Sequence, residues 1–184
     1  RVGLEELVGL GSLTPRLAAF CSAAVRARKN IMIAGATNAG KTTFLRALAN
    51  EIPPEERLIT VERALELGLG EFADLHPNVV AFEERLPNSE GSGAISMADL
   101  VRRSLRMNPS RVIVGEVLGD EIVTMLNAMS QGNDGSLSTI HANSSSEVFN
   151  RIATYAIQSA EHLPQDATNL LIAGAVDLVI FLTR

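Results

Sequence analysis

The stretch from residue 33 to residue 48, "IAGATNAGKTTFLRAL", places two glycines four residues apart, directly before a lysine and two threonines. Gly35, Gly40, Lys41 and Thr42 match the G-x-x-x-x-G-K-[ST] spacing. Glycines allow such a loop to curl until successive backbone N–H groups point at one anion, and the lysine and hydroxyl can then reach outer phosphates and a magnesium ion. The spacing predicts a phosphate-binding loop, against the alternative of a turn whose lysine is merely solvated.

The segments on either side of this loop supply the elements that must position it. The run "NIMIAG" is short and apolar and predicts a strand, while "KTTFLRALANEI" predicts a helix that stops before Pro53. A strand, a loop and a helix in this order are the context that the spacing requires. The helix N-terminus adds its dipole to the same anion site. We therefore interpret residues 35–42 as a P-loop.

Two carboxylates follow apolar runs elsewhere in the chain. Glu116 ends "RVIVGE" and Glu62 ends "RLITVE". Ligands of doubly wound sheets gather at the carboxyl ends of the strands, so both carboxylates are candidates for the edge that carries the P-loop. Glu116 would be the acidic partner of the P-loop, called the Walker B residue, and Glu62 could orient a water or accept its proton. The alternative is that each carboxylate simply marks the surface exit of a strand.

One histidine and a group of arginines complete the candidate site. His141 follows the predicted strand "SLSTI", where it could reach a phosphate, although a lone histidine is more often structural. Arg85, Arg102, Arg103 and Arg106 lie between the two acidic strands. Like charges three or four residues apart on a helix repel unless anions or carboxylates stand opposite. A solvated helix face remains the alternative for Arg102 and Arg103.

The remaining elements predict the fold class. Strands are expected at "RLITVE", "NVVAFE", "RVIVGE", "SLSTI" and "DLVIFL", and helices at "TPRLAAFCSAAVRAR", "SMADLVRRSLRM", "DEIVTMLNAMSQ" and "SSSEVFNRIATYAIQSA". Thr14 is the expected N-cap of the first of these helices, with Pro15 at its first position. Alternating strands and helices predict an α/β domain with a mostly parallel sheet and helices on both faces. The loop "RLPNSEGSGAIS" is interpreted as a mobile connection.

Composition sets the class of protein. A length of 184 residues suits a single domain, residues 1–184, and 46% hydrophobic residues with no tryptophan indicate an aliphatic core. Cys21 is the only cysteine and is expected to be a buried thiol in a reducing compartment. No run reaches the roughly 18–20 apolar residues of a membrane span, and no segment resembles a secretory signal. We expect a cytoplasmic chain without a membrane span of its own.

The charge and the first residue give two further expectations. A net charge of −5 argues against a general nucleic-acid binder, although a local basic channel would remain compatible with it. The chain starts at Arg1 rather than at a methionine, with a helical pattern already under way. We therefore expect a fragment of a longer protein.

Four segments together resemble a known family. In order, they are "GATNAGKTT", "LITVERALEL", "LVRRSLRMNPSRVIVGEVLGDE" and "GSLSTIHANS". They are similar to the Walker A, Asp, Walker B and His boxes of the secretion ATPases of type II, type IV and pilus systems, and look most like the tight-adherence and conjugation-type branch. The resemblance implies a RecA-like C-terminal motor domain that uses ATP and Mg²⁺ in a homo-hexameric ring. It also implies that the family's N-terminal domain lies outside this chain.

The resemblance also assigns roles to single residues. Glu62 takes the place of the catalytic glutamate, and Thr42 and Glu116 take the places that hold Mg²⁺ or its water shell. His141 corresponds to a γ-phosphate sensor, and Arg85 and Arg106 to phosphate-facing arginines that can act across a subunit interface. The ATP-binding loop comprises Gly35, Ala36, Thr37, Asn38, Ala39, Gly40, Lys41, Thr42 and Thr43.

Several positions depart from the pattern of the family. Arg63 stands where an aspartate is usual, Leu118 where an arginine is usual and Asn133 where a histidine is usual, and Asn38 and Ala39 replace a glycine–serine pair. None of these removes a first-choice catalytic group. Arg63 could however pair with the adjacent glutamate and lower its basicity.

Three functions are compatible with these patterns. The first is an ATPase motor that moves proteins together with inner-membrane secretion or pilus platform proteins, to which it is peripheral. The second is a nucleic-acid translocase, for which the chain offers neither a clear basic channel nor stacking aromatics beyond Tyr155. The third is a nucleotide-binding ring component that hydrolyses poorly. A GTPase is disfavoured because the N-K-x-D pattern that reads guanine is absent from the sequence.

Overall fold

Six strands form one sheet in a computed structural model that describes residues 2–183. In chain order they are β1 (Ile31–Gly35), β2 (Leu58–Glu62), β3 (Val79–Glu83), β4 (Arg111–Val117), β5 (Leu137–His141) and β6 (Leu178–Leu182). The spatial order is β3-β2-β4-β5-β1-β6, and every pairing between neighbouring strands of this sheet is parallel. The predicted parallel α/β sheet is confirmed, and all the strands predicted from the apolar runs are present.

Helices cover both faces of the sheet, as predicted. They are α1 (Leu4–Gly9), α2 (Pro15–Arg26), α3 (Lys41–Ala49), α4 (Met97–Ser104), α5 (Glu121–Ser130), α6 (Glu147–Gln158) and α7 (Gln165–Ala175). Short 3₁₀ turns lie at Leu69–Glu71 and Leu105–Met107. Ile31 and Ile33 of β1 pack into the core shared with α1–α3, whereas Met32 and Ala34 pack into the core shared with α4–α7. This alternation follows from the two-residue period of a strand.

The helix starts show the capping chemistry that their sequences indicate. The hydroxyl of Thr14 accepts a hydrogen bond from the amide of Leu17 at 3.2 Å, with Pro15 at the first helical position. At α6, the amide of Glu147 donates to the hydroxyl of Ser144 at 3.1 Å, and the Glu147 carboxylate accepts from the amide of Asn143 at 2.8 Å. The Thr14 cap fixes where α2 begins, and the two bonds of Glu147 order the turn that leads into α6.

A buried polar network closes the amino-terminal edge of the sheet. Arg111 is 0% exposed, and its guanidinium donates to both carboxylate oxygens of Glu56 at 2.8 and 2.6 Å and to the carbonyl of Val25 at 2.7 Å. Asn30 is also buried; its amide donates to the carbonyls of Met129 and Ala175 and accepts from Gly135 and Ser136. The network ties helices from both faces to the sheet and leaves the opposite edge for a site.

Three smaller expectations can be compared with the structure. Cys21 is fully buried and burial raises the pKa of its thiol, as expected of a structural cysteine. Between residues 2 and 183, none of the helices combines the length and the apolar character needed to cross a bilayer. The loop after β3 closes on itself through a bridge between Arg85 and Ile95 and through a turn in which Asn88 accepts from the amides of Glu90 and Ser92.

Candidate active site

The predicted P-loop joins β1 to α3 and has the curled backbone that its glycines allow. Asn38 and Gly40 have φ values of +60° and +88°, and Gly40 is the N-cap of α3. At Gly35 a Cβ atom would lie 2.9 Å from the carbonyl oxygen of Leu182, so no larger residue fits there. Because the first N–H groups of a helix have no intrahelical acceptor, the start of α3 presents donors beside this loop. The residues fit a bound phosphate group.

Lys41 lies across the loop and is 7% exposed. Its ammonium donates to the carbonyls of Gly35 at 3.2 Å and Ala36 at 3.0 Å, and lies 3.3 Å from Nδ1 of His141 and 3.9 Å from Oε1 of Glu116. Burial lowers the pKa of Lys41 below its ordinary value, and the negative charge of Glu116 opposes this effect. The structure thus holds a desolvated cation where the sequence predicts phosphate binding.

His141 and Glu116 meet beside this lysine. Nε2 of His141 lies 2.9 Å from Oε1 of Glu116, and both side chains are about one-third exposed, at 33% and 34%. The contacts suit a neutral imidazole that accepts from Lys41 at Nδ1 and donates to Glu116 at Nε2. A register shift in β4 between Val114 and Val117 places Glu116 in a bulge, which is the usual way in which a strand re-aims a side chain.

Glu62 lies at the end of β2, next to the bulge. Its carboxylate is nearly buried, with 3% exposure, and Oε2 accepts from the amides of Glu66 at 2.8 Å and Leu67 at 2.9 Å. A Cβ atom on Gly115 would lie 3.0 Å from Cγ of Glu62, so the glycine of "VGE" makes room for this side chain. A cleft of about 130 Å³ is lined by Thr42, Glu62, Arg63, Ala64, Glu66, Gly115 and Glu116.

The cleft brings together the residues predicted to hold magnesium. Thr42 offers a hydroxyl and Glu116 a carboxylate, which are the oxygen ligands that Mg²⁺ prefers. In the described part of the chain, no group of three or more His, Cys, Asp and Glu side chains could hold a metal. A magnesium ion that keeps several waters and binds phosphate oxygens needs only one or two protein ligands, so the residues fit it.

Arg63 does not pair with Glu62, and the expectation that it could do so is wrong. Its guanidinium lies 2.9 Å from a carboxylate oxygen of Glu84 and 3.7 Å from one of Glu121, which is fully buried. Successive side chains of a strand point to opposite faces, so a residue that directly follows Glu62 is carried away from it. Glu121 also accepts from the amide of Leu118 at 2.6 Å.

The two predicted phosphate-facing arginines are not brought to Lys41. Arg85 lies two residues beyond the edge strand β3, and Arg106 lies in the 3₁₀ turn after α4; both are exposed. Four strand spacings separate β3 from β1, or roughly 19 Å. Arg102 pairs instead with Asp99 at 3.2 Å and Glu161 at 3.9 Å, as expected of a solvated face with acidic neighbours.

A second cleft flanks the outer side of the P-loop and was missed by the sequence analysis. Its volume is about 610 Å³, and it lies between the α1–α2 connection and the end of β6. Its lining is Leu7, Leu10, Gly11, Ser12, Leu13, Asn38, Ala39, Gly40, Thr43, Phe44, Leu182 and Thr183. Nothing in the local pattern of residues 7–13 indicates that this segment lines a cleft. The segment reaches the P-loop only through the packing of α1 against α2 and α3.

The fold and the site together define a RecA-like P-loop NTPase domain, because a parallel sheet carries the phosphate loop on one strand and the acidic partner on a strand two places away. The family model of the type II/IV secretion system proteins matches residues 1–184. The chain therefore belongs to this family, and the resemblance found in the four sequence boxes is confirmed.

Individual relatives agree with this placement. A candidate conjugal transfer protein of Mycobacterium tuberculosis is 38% identical over 181 residues, 98% of this chain and 49% of the relative. The type IV secretion system protein PtlH of Bordetella pertussis is 35% identical over 167 residues, 90% of this chain and 48% of the relative. The crystal structure of the VirB11 ATPase of Brucella suis with sulphate is similar with a TM-score of 0.79 and 33% identity, covering 97% of this chain and 49% of that one. The chain thus spans about half the length of these proteins.

Proposed function

We propose that this domain binds and hydrolyses ATP with Mg²⁺ and that it is the motor part of a secretion or pilus ATPase. The observation that carries the proposal is the convergence of Lys41, His141 and Glu116 beside the P-loop, with Thr42 and Glu62 in the adjoining cleft. These residues come from four separate segments of the chain and meet at one edge of the sheet. That is the edge at which parallel α/β folds bind their ligands.

The roles follow from the contacts. The loop amides and Lys41 would bind the phosphates, and Lys41 would exchange its contacts with the loop carbonyls for phosphate oxygens. His141, held by Glu116, would sense the terminal phosphate. Glu62 would orient the attacking water or accept its proton. A magnesium ion held by Thr42 and Glu116 would supply positive charge to the phosphate oxygens. The larger outer cleft has room for the nucleoside.

The wider setting belongs to the same proposal. Relatives named as VirB11 ATPase and type IV secretion system protein support a role in protein secretion or pilus assembly. We further propose a homo-hexameric ring in which Arg85 and Arg106 act on the site of a neighbouring subunit, because both are exposed and Arg85 lies beyond β3, four strand spacings from β1. The ring would lie in the cytoplasm, peripheral to the inner membrane through platform proteins, with no nucleic-acid partner.

The test is magnesium-dependent ATP hydrolysis by the full-length protein, measured as a function of protein concentration. A rate per subunit that rises as rings assemble supports the proposal. Lys41→Ala should abolish ATP binding, whereas Glu62→Gln should retain ATP binding and lower the rate by about 100-fold or more. Glu55→Gln changes an exposed glutamate elsewhere on the surface and should leave both unchanged. Equal, negligible rates for the wild type and Glu62→Gln in assembled rings would favour a nucleotide-binding scaffold instead.

A further inference from the structure

The loop that follows β2 holds the carboxylate of Glu62 by its backbone. The amides of Glu66 and Leu67 both donate to Oε2, at 2.8 and 2.9 Å. No hydrogen bond joins Oε1 of Glu62 to a described residue, although the side chain lines the cleft beside Thr42 and Glu116. One oxygen of the carboxylate is therefore fixed, and the other is left for a ligand in the cleft.

Arg46 of α3 holds the same two residues from the opposite side. Its Nε donates to the carbonyl of Leu67 at 3.0 Å, and its Nη2 donates to the carbonyl of Glu66. The peptide group between Glu66 and Leu67 consists of the Glu66 carbonyl and the Leu67 N–H. This one peptide group accepts from the Arg46 guanidinium and donates to the Glu62 carboxylate. A cation, a peptide dipole and an anion therefore stand in series, an order in which each hydrogen bond strengthens the next.

The position of Arg46 on α3 connects this series of hydrogen bonds to the P-loop. Thr42 and Arg46 are four residues apart on α3 and so lie on the same side of the helix, one turn from each other. Packing reinforces the link, because Leu67 is 1% exposed and belongs to the same hydrophobic cluster as Phe44 and Leu45 of α3. The loop after β2 is thus attached to the P-loop helix by two hydrogen bonds and by a buried side chain.

We propose that Arg46 is a positioning residue, which fixes Glu62 in the cleft by way of the peptide between Glu66 and Leu67. Loss of its guanidinium would leave both carbonyls to solvent, loosen the loop and free Oε2 of Glu62 from its amides. The geometry of the site around Lys41 would stay as it is, because no contact of Arg46 reaches it. The catalytic consequence of this inference rests on the hydrolysis proposed above, whereas the placement of Glu62 does not.

Amide hydrogen exchange of Glu66 and Leu67 tests the placement without any need for hydrolysis. In Arg46→Met, which keeps the side-chain length and removes the donors, both amides should exchange about tenfold faster than in the wild type. Arg46→Lys should give a smaller change, because one ammonium cannot reproduce the fork of a guanidinium. Arg16→Met, at an exposed arginine of α2, is the control and should change neither amide. Unchanged exchange in Arg46→Met would overturn the proposal.

Steady-state kinetics separate positioning from a general structural role. Arg46→Met should lower kcat by about 10- to 100-fold and leave the KM for ATP within about twofold of the wild-type value. In a Glu62→Gln background the same substitution should have no further effect, because the group that it positions is already disabled. An equal fall in both backgrounds, or an effect confined to KM, would contradict the inference. If the wild-type protein hydrolyses no ATP, the proposed function fails, and amide exchange alone decides whether Arg46 places Glu62.

Discussion

Lys41 is a buried cation, because the residue is only 7% exposed and its ammonium donates to backbone carbonyls and one imidazole nitrogen. A cation in such surroundings interacts strongly with any anion that replaces those neutral acceptors. The lowered pKa of Lys41 has the same origin, since burial penalises the charged form. The chain thus keeps a partly desolvated charge in place at a cost that a bound phosphate would offset.

The two lysines of the chain allow a matched comparison. Mg²⁺-ATP at 100 times its dissociation constant should stabilise the domain by about 2.7 kcal/mol, which raises its Tm by roughly 5–10 °C. Lys41→Met should abolish this shift. Lys29→Met removes an exposed ammonium that pairs with Asp177 at the opposite edge of the sheet, and should keep the shift. Thermal unfolding with and without nucleotide measures both, and a shift that survives in Lys41→Met would argue against phosphate binding by this lysine.

At the scale of elements, the candidate site and a stabilising polar network lie at opposite ends of the strands. The carboxyl ends of β1, β2, β4 and β5 carry the candidate site, and the amino-terminal edge carries the buried network around Arg111 and Asn30. Arg111 makes charge-assisted hydrogen bonds that join β4 to the segment before β2 and to the end of α2. Because the network is far from the P-loop, substitutions in it should change stability without changing the chemistry of the site.

Glu56→Gln tests this division. Burial alone would raise the pKa of Glu56, but hydrogen bonds and charge from Arg111 and then Arg28 outweigh it and lower the pKa. The stabilisation that ionised Glu56 provides is therefore fully present above its ordinary pKa of 4.5. It is lost as the pH falls through the lower pKa that Glu56 has in the folded protein. At pH 7 the substitution leaves the buried Arg111 uncompensated and should lower the free energy of unfolding by about 3 kcal/mol.

Urea unfolding at a series of pH values measures this effect. The difference between Glu56→Gln and the wild type should shrink below pH 4.5, the ordinary value of the group. Glu55→Gln changes the adjacent exposed carboxylate and should stay within about 0.5 kcal/mol of the wild type throughout. A penalty for Glu56→Gln that stays constant across the acid range would show that its charge does not provide the stabilisation.

At the scale of the whole molecule, the residues predicted for the site are spread over the width of the sheet. Lys41 and His141 lie at the ends of β1 and β5, whereas Arg85 is exposed beyond the edge strand β3, roughly 19 Å away in strand spacings, and Arg106 is exposed in the turn that precedes β4. An arginine side chain does not reach that far. A ring in which the β3 side of one subunit faces the P-loop of the next would bring Arg85 to the neighbouring site, and a head-to-tail interface forms such a ring when the rotation between subunits closes.

Mixing two inactive variants tests whether these arginines act between subunits. Lys41→Ala and Arg106→Ala should each lack ATPase activity alone in the full-length protein. Rings assembled from an equal mixture would hold about one quarter of interfaces with both groups intact, so about a quarter of the wild-type rate should return. Arg85→Ala should behave in the same way. The control is a mixture of the Lys41→Ala variant with the Glu62→Gln variant. Both residues act in the site of their own chain, so no interface is intact and no activity should return. No recovery with either arginine variant would mean that they do not act in trans.

Most of the site was predictable because its signals are local in the chain. Gly35, Gly40 and Lys41 are close in sequence, and the turn between a strand and a helix follows from a handful of residues with known backbone preferences. The apolar runs that end in Glu62 and Glu116 likewise predict two strands with carboxylates at their carboxyl ends. Burial of both sheet faces makes such strands continuously apolar, so the sequence by itself determined the six strands and the parallel α/β class.

Only the tertiary structure decided which of these elements are neighbours. His141 meets Lys41, which is 100 residues away, because β5 lies between β1 and β4. Nothing in an apolar run specifies its place in a sheet, since strand order results from the packing of helices on both faces. For the same reason, the sequence did not predict the pairing of Arg63 with Glu84, the burial of Arg111 or the contact of Arg46 with the loop that holds Glu62. These contacts depend on distances through space, which a local pattern does not record.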